Sequence, residues 1–527
     1  MSETINEQVV MPKPRVSSAM VANQQENQWT QNQAFYSMLP TPYYTFYNKW
    51  VRTWLYWYDG YVPYVHNGQY GLLSTHLATS IVNKCATLIL GGDVMFANAK
   101  KPKLMKEIDG KMVSSALDFI SNDWAKMSDF RTKLKQSIRF AFAGGFSVMK
   151  LNKTNSQIWV DVLRADRFFL DKNGKGEIRK FVGLLSFYEQ IVSEDNNKRY
   201  ALVEERRYKE VSITDEVPVV EYKIYECTTP IQYLSSKGDN CVNWEELPKD
   251  VRKAFKSEYG TMRLNEPVAM NGFKDLGIYL LKGNDDVTNV PQLQLGESIL
   301  AHILTYLYEY DFCNTAFNTD MYLARGRVLL PKQMQSSQAR GADTSGFDDF
   351  IYTSYQNVDP TGQKPEPVQF ALRSAEWKVA RDSILESIAT TIGISTSTMA
   401  SFLQDGSNRT AREVSAEESA TTNFVEDARR RFEKPINDLL NQVLRLNGYV
   451  DDVEIRWSRA GFSNQSVLVD VLSKAVQAGL ISQKKAHSQF NYDDDEAQNN
   501  EDYELVQSEQ SQNRQSIFGQ DWTGDVE

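Results

Sequence analysis

Two long amphipathic helices that flank a short polar segment constrain this chain more than any other feature. Apolar side chains recur at helical spacing from Ser298 to Leu323, a stretch about 39 Å long at 1.5 Å per residue, and again from Ser374 to Ile392. The segment between them is rich in Gln, Ser, Gly and Asp. An isolated helix pair cannot bury all of its apolar stripe, so the pattern predicts a rod-like projection that packs against neighbouring copies of the chain in a cyclic assembly.

A third and longer helix is predicted after a polar loop at residues 395–409. The sequence Thr410-Ala-Arg-Glu413 is typical of a capping box, and an apolar stripe then continues to Leu446, with Pro435 expected to kink the helix. A short strand, Val453 to Trp457, and a helical hairpin over residues 465–489 complete the folded part. The C-terminal half is therefore predicted to be mainly helical.

The N-terminal half predicts a mixed body. Helices are expected over Gln69 to Leu90 and Phe130 to Ala143, because apolar residues recur at helical spacing and each run ends at a glycine pair. Period-two alternation from Phe146 onward predicts a β-meander, and a short helix is expected near Lys249 to Phe255. The predicted fold class is α+β.

The first 65 residues divide by composition. Residues 1–34 are rich in Gln, Asn, Ser and Glu, which predicts a flexible arm. From Phe35 to Val65 thirteen of 31 residues are aromatic, so this segment must bury its side chains. We expect a strand or irregular layer packed on the chain's own core; the alternative is an arm packed on a neighbouring subunit.

Charge and cysteine usage limit the class of protein. The net charge of −10 comes entirely from residues 493–527, where eleven acids face one base, so the rest of the chain is neutral and no basic DNA-gripping domain is indicated. The four cysteines lie far apart with no CxxC pair and no leader precedes them, which indicates reduced thiols in a cytoplasmic product. No stretch is apolar enough to predict a membrane span.

The motifs of common enzymes are missing from the sequence. It contains no GxxxxGK[ST], GxGxxG after a strand, HExxH or GxSxG, and its four histidines are not spaced as a metal pair. We therefore predict no catalytic residue, no metal site and no cofactor. The cluster Arg429-Arg430-Arg431 could grip phosphate, although on a long helix a solvated face or an intersubunit salt-bridge partner is the commoner role.

Several segments, in this order, resemble the portal proteins, or head-to-tail connectors, of tailed double-stranded DNA bacteriophages. In the body these are the helix ending at Leu90, the run Ile138-Arg-Phe-Ala-Phe-Ala-Gly-Gly and Arg164-Ala-Asp-Arg-Phe-Phe-Leu170. Three segments further along are similar to the family's stem, clip and stem. They are Gly296-Glu-Ser298 opening a long helix, Arg325-Gly-Arg-Val328, and the return helix ending Thr391-Ile-Gly-Ile-Ser395. Gly406-Ser-Asn-Arg-Thr-Ala-Arg-Glu413 and Gln477-Ala-Gly-Leu-Ile-Ser482 resemble its tunnel loop, long helix and crown.

The resemblance implies a portal-like ring protomer with a mixed α/β wing, a long-helix stem, a small clip, a tunnel loop and a helical crown. The implied segments are an N-terminal arm (1–34), the wing (35–297), stem helix 1 (298–323), the clip (324–371), stem helix 2 (372–394), the tunnel loop (395–409), a long kinked helix with a wing strand (410–460), the crown (461–492) and an acidic tail (493–527).

By the same resemblance the chain is expected to form a ring of twelve copies at one capsid vertex, through which double-stranded DNA passes during packaging and ejection. Such a protein is not an enzyme, because the packaging ATPase is a separate protein. The implied partners are the large terminase, neck adaptor and tail proteins, and the major capsid and scaffolding proteins. The implied location is the virion, after assembly in the host bacterial cytoplasm, with no membrane partner.

Three groups of candidate site residues follow. The tunnel loop is expected to contact the DNA backbone without sequence preference through Gln404, Asp405, Ser407, Asn408 and Arg409. Docking of terminase and adaptor is assigned to the clip residues Arg325, Arg327, Lys332, Phe347, Asp348 and Asp349. Packing between subunits along the stem is assigned to Tyr306, Tyr310, Phe317, Trp377 and Ile384.

Other interpretations stay open at this point. Asn408 and Arg409 could simply cap the helix that follows them. A metal-dependent nuclease whose carboxylates assemble on folding is the main alternative function, although long stem-like helices have no obvious use in it. Another non-enzymatic head–neck connector is a third possibility.

Overall fold

The computed structural model describes helices and strands over much of the chain, as the predicted α+β class requires. The described residues are 41–60, 74–91, 94–99, 105–108, 111–154, 157–191, 197–210, 216–227, 245–259, 264–284, 293–324, 327–331, 351–354, 366–368, 371–403, 411–457, 473–474 and 476. Nearly all of the predicted crown therefore lies outside the described residues, and so does the acidic tail.

The α-helices, in chain order, are α1 (Thr41–Phe46), α2 (Arg52–Asp59), α3 (Leu77–Leu90), α4 (Ser115–Asp118), α5 (Ala125–Met127), α6 (Phe130–Gly144), α7 (Lys249–Tyr259), α8 (Leu304–Leu323), α9 (Ser374–Ile392), α10 (Thr396–Leu403) and α11 (Ala411–Leu446). The strands are β1 (Val94–Asn98), β2 (Met105–Ile108), β3 (Lys111–Ser114), β4 (Phe146–Lys153), β5 (Ile158–Arg164), β6 (Phe168–Lys172), β7 (Ile178–Ile191), β8 (Asn197–Glu210), β9 (Glu216–Cys227), β10 (Val268–Ala269), β11 (Ile278–Lys282), β12 (Arg327–Pro331), β13 (Ile351–Ser354), β14 (Glu366–Val368) and β15 (Val453–Trp457).

The chain divides into two compact units. The sheet unit takes its described residues from Met1–Asp59 and Gln136–Ala301, and the helical unit takes its own from Gly60–Lys135 and His302–Glu527. In the sheet unit, β10-β9-β8-β7-β6 form an antiparallel five-stranded sheet, and β11-β4-β5 form an antiparallel three-stranded sheet. The run β6 to β9 confirms the predicted meander.

The described part of the aromatic segment, residues 41–59, is helical, so the prediction of a strand or irregular layer is wrong there. A π-helical turn, Tyr47–Val51, joins α1 to α2. Tyr47 and Val51 of this turn are buried, and so are the α2 residues Trp54, Leu55 and Tyr58; these positions recur every three or four residues, which is a helical period.

The same helices pack on the core of their own unit, as predicted for this segment. The ring of Phe46 stacks on Phe146 with 6.4 Å between centroids, and the Tyr47 hydroxyl donates a hydrogen bond of 2.7 Å to the carbonyl oxygen of Phe168. Arg164 donates two hydrogen bonds to Asp59 at the end of α2. These contacts place the segment on its own sheet unit.

A buried group of charges joins the two sheets of the sheet unit. Glu204 on β8 accepts hydrogen bonds from Lys150 on β4 (2.7 Å) and from the Nε of Arg206 (2.6 Å). Arg206 also donates to the carbonyl oxygens of Leu151 and Leu276. Burial would raise the pKa of Glu204, but the two cations outweigh it and hold that pKa at about 2.

Ser298 has a different role from the one its sequence context indicated. The predicted first stem helix was expected to begin there, but α8 begins at Leu304. The Ser298 hydroxyl instead donates to the carbonyl oxygens of Phe142 and Ala143, at 2.7 and 2.8 Å, and so caps the last turn of α6. Gly296 is needed nearby, because a Cβ there would overlap the Gly145 carbonyl oxygen.

The helical unit contains the three long helices predicted from the sequence. α3 is shorter than expected, since His76 adopts a left-handed conformation (φ 53°) and the helix starts at Leu77. β1 pairs antiparallel with β15, and β12 pairs parallel with β13 and antiparallel with β14. α11 continues through Pro435, and its apolar residues from Val425 to Leu444 are buried.

Replacing Glu204 by Gln should destabilise the sheet unit by about 3–5 kcal/mol at pH 7, because Lys150 and Arg206 would remain buried without a countercharge. Urea unfolding measures this, and Glu216→Gln, which breaks an exposed pair with Arg179, is the matched control with little expected effect. The folded pKa of about 2 lies below the ordinary 4.5, so this stabilisation is complete above pH 4.5 and is lost only as the pH falls towards 2. Equal effects of the two variants would contradict the prediction.

Candidate functional site

The two predicted stem helices, α8 and α9, form a pair whose contact is fixed at one end by Asp320. This carboxylate accepts hydrogen bonds from the Nε and Nη2 of Arg373, at 3.0 and 2.9 Å, and from the Trp377 indole nitrogen at 2.6 Å. The Arg373 guanidinium also lies 5.5 Å from the centroid of the Trp377 ring. Hydrogen bonds from Arg373 and Trp377 lower the pKa of Asp320. These bonds hold together the C-terminal end of α8 and the N-terminal end of α9, which flank residues 324–371.

The rest of the contact follows one face of each helix. The Cys313 sulfur lies 3.9 Å from the Trp377 carbonyl oxygen, and the Arg381 guanidinium lies 5.8 Å from the ring centroid of Phe317. The phenol of Tyr310 has a raised pKa, chiefly because it is partly buried, while the charge of Arg381 acts in the opposite direction. These side chains face the other helix of the same chain.

All five residues assigned to subunit packing are half-buried on these two helices: Tyr306, Tyr310, Phe317, Trp377 and Ile384. Phe317 and Trp377 have the contacts within the chain described above. Their proposed role between subunits stays a prediction. The large apolar side chains that α8 and α9 leave exposed are different ones, Tyr308, Phe312, Met321 and Val379.

The first part of the predicted tunnel loop is a helix, which corrects the assignment of residues 395–409 as a loop. α10 begins at Thr396 because the Ser395 hydroxyl accepts a hydrogen bond of 3.1 Å from the backbone N–H of Thr398. The polar residues here indicated a loop, but in the structure they begin a helix. The predicted DNA contacts, Gln404, Asp405, Ser407, Asn408 and Arg409, lie outside the described residues.

A buried cluster of hydroxyl groups, Ser395, Thr398 and Thr421, attaches α10 to α11. Thr421 on α11 accepts a hydrogen bond of 2.9 Å from the backbone N–H of Ser395, and its hydroxyl lies 3.1 Å from those of Ser395 and Thr398. All three residues are buried. The chain that enters residues 404–410 is therefore held against the helix that leaves them.

α3 is fixed at both ends by side chains from distant parts of the sequence. Asp311 on α8 accepts hydrogen bonds from the backbone N–H and the hydroxyl of Thr75, at 3.0 and 2.6 Å, just before α3 begins. Arg429 on α11 donates a 2.8 Å hydrogen bond to the Ile89 carbonyl oxygen at the other end. No sequence pattern predicts either contact, since each joins residues more than 200 positions apart.

The arginine cluster on α11 is mostly engaged within the chain. Arg429 is buried, and its guanidinium lies 5.6 Å from the ring centroid of Trp457. Arg430 pairs with Glu426 one turn earlier on the same helix. Arg430 therefore pairs within its own helix, and Arg429 caps the end of α3. The intersubunit salt bridge considered from the sequence stays a prediction.

The clip segment is described only in part. Its strands β12, β13 and β14 form a three-stranded sheet in which Arg327 pairs with Val368. The other residues assigned to docking, Arg325, Lys332, Phe347, Asp348 and Asp349, lie outside the described residues. The assignment of this segment to docking stays a prediction.

The described residues contain neither a metal-binding cluster nor a membrane-spanning helix. No group of three or more His, Cys, Asp or Glu side chains in that part of the chain is placed to hold a metal ion. Among the helices that the structure describes, none combines the length and the apolar character needed to cross a membrane.

A match to a known protein family spans most of the chain. Residues 66–516 match the family described as phage portal protein, SPP1 Gp6-like. The chain belongs to this family. The resemblance inferred from the order of its segments is thus confirmed, and the match includes all of α3 to α11. No curated protein matches the chain. As a phage portal protein it is a component of the virion.

Replacing Thr421 by Val should loosen α10 by about 1–3 kcal/mol, because the backbone N–H of Ser395 would lose its buried acceptor. Hydrogen exchange of the α10 amides measures this local opening. Thr391→Val is the matched control: its exposed hydroxyl bonds only to the Ser387 carbonyl oxygen of its own helix, so a change within about 0.5 kcal/mol is expected. Unchanged exchange in Thr421→Val would show that the cluster does not hold α10.

Proposed function

We propose that twelve copies of this phage portal protein form a ring at one capsid vertex, which serves as the conduit for double-stranded DNA during packaging and ejection. The observation that carries the proposal is the family match over residues 66–516. The pairing of α8 with α9, followed by α10 and the 36-residue helix α11, supports it, because this is the order expected of stem, tunnel segment and long helix.

The exposed charges of the two stem helices suit a conduit. They are mainly acidic, at Glu309, Glu376, Asp382 and Glu386, with Lys378 as an exposed base. Each phosphate that a protein neutralises releases counterions and adds salt-dependent affinity, so a basic wall would retard moving DNA. Stem helices of this charge would let the duplex pass without holding it.

The proposal includes the partners of the ring. The clip, residues 324–371, would meet the large terminase during packaging and the neck adaptor and tail proteins afterwards. The ring would be assembled in the host bacterial cytoplasm with scaffolding and major capsid proteins around it. In this role the chain performs no catalysis, and it needs no cofactor.

Negative-stain electron microscopy of the purified chain, with mass measurement in parallel, tests the ring. Annular particles with a central hole and a mass near twelve protomers are expected. Incubation of the same material with plasmid DNA and magnesium tests the nuclease alternative. Monomeric protein that cleaves the plasmid would contradict the proposal.

Replacing Asn408 and Arg409 by Ala should leave ring assembly unchanged but alter DNA retention or packaging, because these side chains are proposed to contact the phosphate backbone in the channel. Packaged DNA length and genome retention after a salt or heat challenge measure the effect. Arg430→Ala, which removes an exposed arginine that already pairs with Glu426, is the control. Failure of the double variant to form rings would show that the loop is structural.

A further inference from the structure

Four Asn-Gly pairs occur in the chain, at Asn67, Asn173, Asn271 and Asn447. In such a pair the backbone nitrogen of the glycine can attack the amide carbon of the asparagine side chain, because glycine has no Cβ to obstruct the approach. The reaction needs a side chain that can turn toward the backbone. Asn67 lies outside the described residues, so the structure distinguishes the other three pairs.

Asn173 is held by three hydrogen bonds in the turn between β6 and β7. Its side-chain oxygen accepts from the backbone N–H groups of Lys175 and Glu177, at 3.0 and 2.9 Å. Its amide nitrogen donates to the Glu177 carboxylate at 2.7 Å. The side chain has to break these bonds before it can turn toward the Gly174 nitrogen.

Asn447, directly after α11, is held as well. Its amide nitrogen donates a 2.9 Å hydrogen bond to the Val443 carbonyl oxygen. The backbone N–H of Gly448 donates to the Arg445 carbonyl oxygen at 3.0 Å. Reaction of this pair therefore requires the end of the helix to open first.

Asn271 stands in a different setting, an exposed turn between β10 and β11. The backbone N–H of Phe273 donates to the Met270 carbonyl oxygen at 3.2 Å, and Gly272 has a φ of 84°, a combination typical of a tight turn. Asn271 and Gly272 are both exposed, and within the described part of the chain the Asn271 side chain makes no hydrogen bond. Its amide can therefore rotate without breaking a contact.

We propose that Asn271 is a self-modification site, at which the folded protein converts the asparagine to aspartate and isoaspartate without an enzyme. Hydroxide removes the Gly272 amide proton, and that nitrogen forms a bond to the Asn271 Cγ. The bond from Cγ to Nδ2 breaks, and ammonia leaves. Water then opens the cyclic imide, at Cγ to give aspartate or at the main-chain carbonyl carbon to give isoaspartate. Nothing is oxidised or reduced, and water is the only co-reactant consumed.

Isoaspartate would alter this turn more than aspartate, because it adds one carbon to the main chain. The backbone N–H of Met270 donates to the Pro218 carbonyl oxygen at 2.9 Å, beside the residues that pair β10 with β9. A longer main chain cannot keep the bond between Phe273 and Met270 in the same geometry. Modification is thus expected to loosen the β10 edge of the five-stranded sheet.

The reaction is cumulative in a virion component. A phage particle does not renew its subunits after assembly, so modified copies stay in place and increase with age. The inference is independent of the proposed conduit role, since it depends only on the local structure of the turn. It identifies residue 271 as a position where an old particle differs chemically from a new one.

Peptide mapping of the purified full-length chain by mass spectrometry tests the site. The protein is incubated in mildly alkaline buffer, and the aspartate and isoaspartate forms of each Asn-Gly peptide are separated by chromatography and quantified. Product at Asn271 should exceed that at Asn173 and at Asn447 about tenfold or more, because hydrogen bonds must break first at the other two. Similar amounts at all three residues would overturn the proposal.

Unfolded protein provides the control for sequence effects. In concentrated urea the three pairs should react at similar rates, since the hydrogen bonds that restrain Asn173 and Asn447 are absent. A preference for Asn271 that persists in urea would show that the neighbouring residues select the site and the fold does not, which also overturns the proposal.

Two matched variants test the consequence for the fold. Asn271→Gln should stop the conversion at this residue, because ring closure from the longer side chain is slower, whereas Asn447→Gln should leave it unchanged. After equal ageing, the amides of Met270 and Phe273 should exchange faster in Asn447→Gln than in Asn271→Gln. Equal exchange in the two aged variants, despite conversion in one of them, would overturn the inferred effect on the turn.

Discussion

Asp320 accepts hydrogen bonds from both Arg373 and Trp377, and this fixes the alignment of α8 along α9. The alignment decides which side chains the helix pair encloses and which it presents to solvent. Cys313 meets Trp377, and Phe317 meets Arg381, so the aromatic residues most prominent in the sequence are used within the chain. Another copy of the chain can contact only the faces of α8 and α9 that this contact leaves exposed.

The two compact units are secured by different chemistry. In the sheet unit, a buried carboxylate between two cations joins the sheets, and its low pKa keeps the pairing intact over the whole neutral and mildly acidic range. In the helical unit, neutral hydroxyl groups hold α10 to α11, and single polar side chains bind the ends of α3. Hydrogen bonds between neutral groups cost less free energy to break than buried ion pairs do. The contact between Ser395 and Thr421 is therefore easier to break than the buried ion pairs of the sheet unit.

Periodicity in the sequence predicted the long helices, the β-meander and α6, because their apolar residues repeat at the spacing of the element they form. The predictions that were wrong or displaced depended on the composition of a segment or on a single polar residue, and not on a repeating pattern. Ser298 resembled a helix start but caps a different helix, and Ser395 stood in a polar run but starts one. The cap at Ser395 is a local bond to Thr398 that the polar composition concealed, whereas tertiary contacts set the role of Ser298 and local sequence does not encode them. The site contacts of α3 were unpredictable for the same reason.

The bonds at the two ends of α3 also set the order in which this protein can be completed. Thr75 and Asp311 are 236 residues apart, and Ile89 and Arg429 are 340 apart. A chain growing on the ribosome therefore makes α3 long before either partner exists, and the helix stays without its end contacts until most of the polypeptide has emerged. Loops of this length close slowly. The helical unit thus completes its fold only when translation is nearly finished. A subunit becomes able to assemble only after that point.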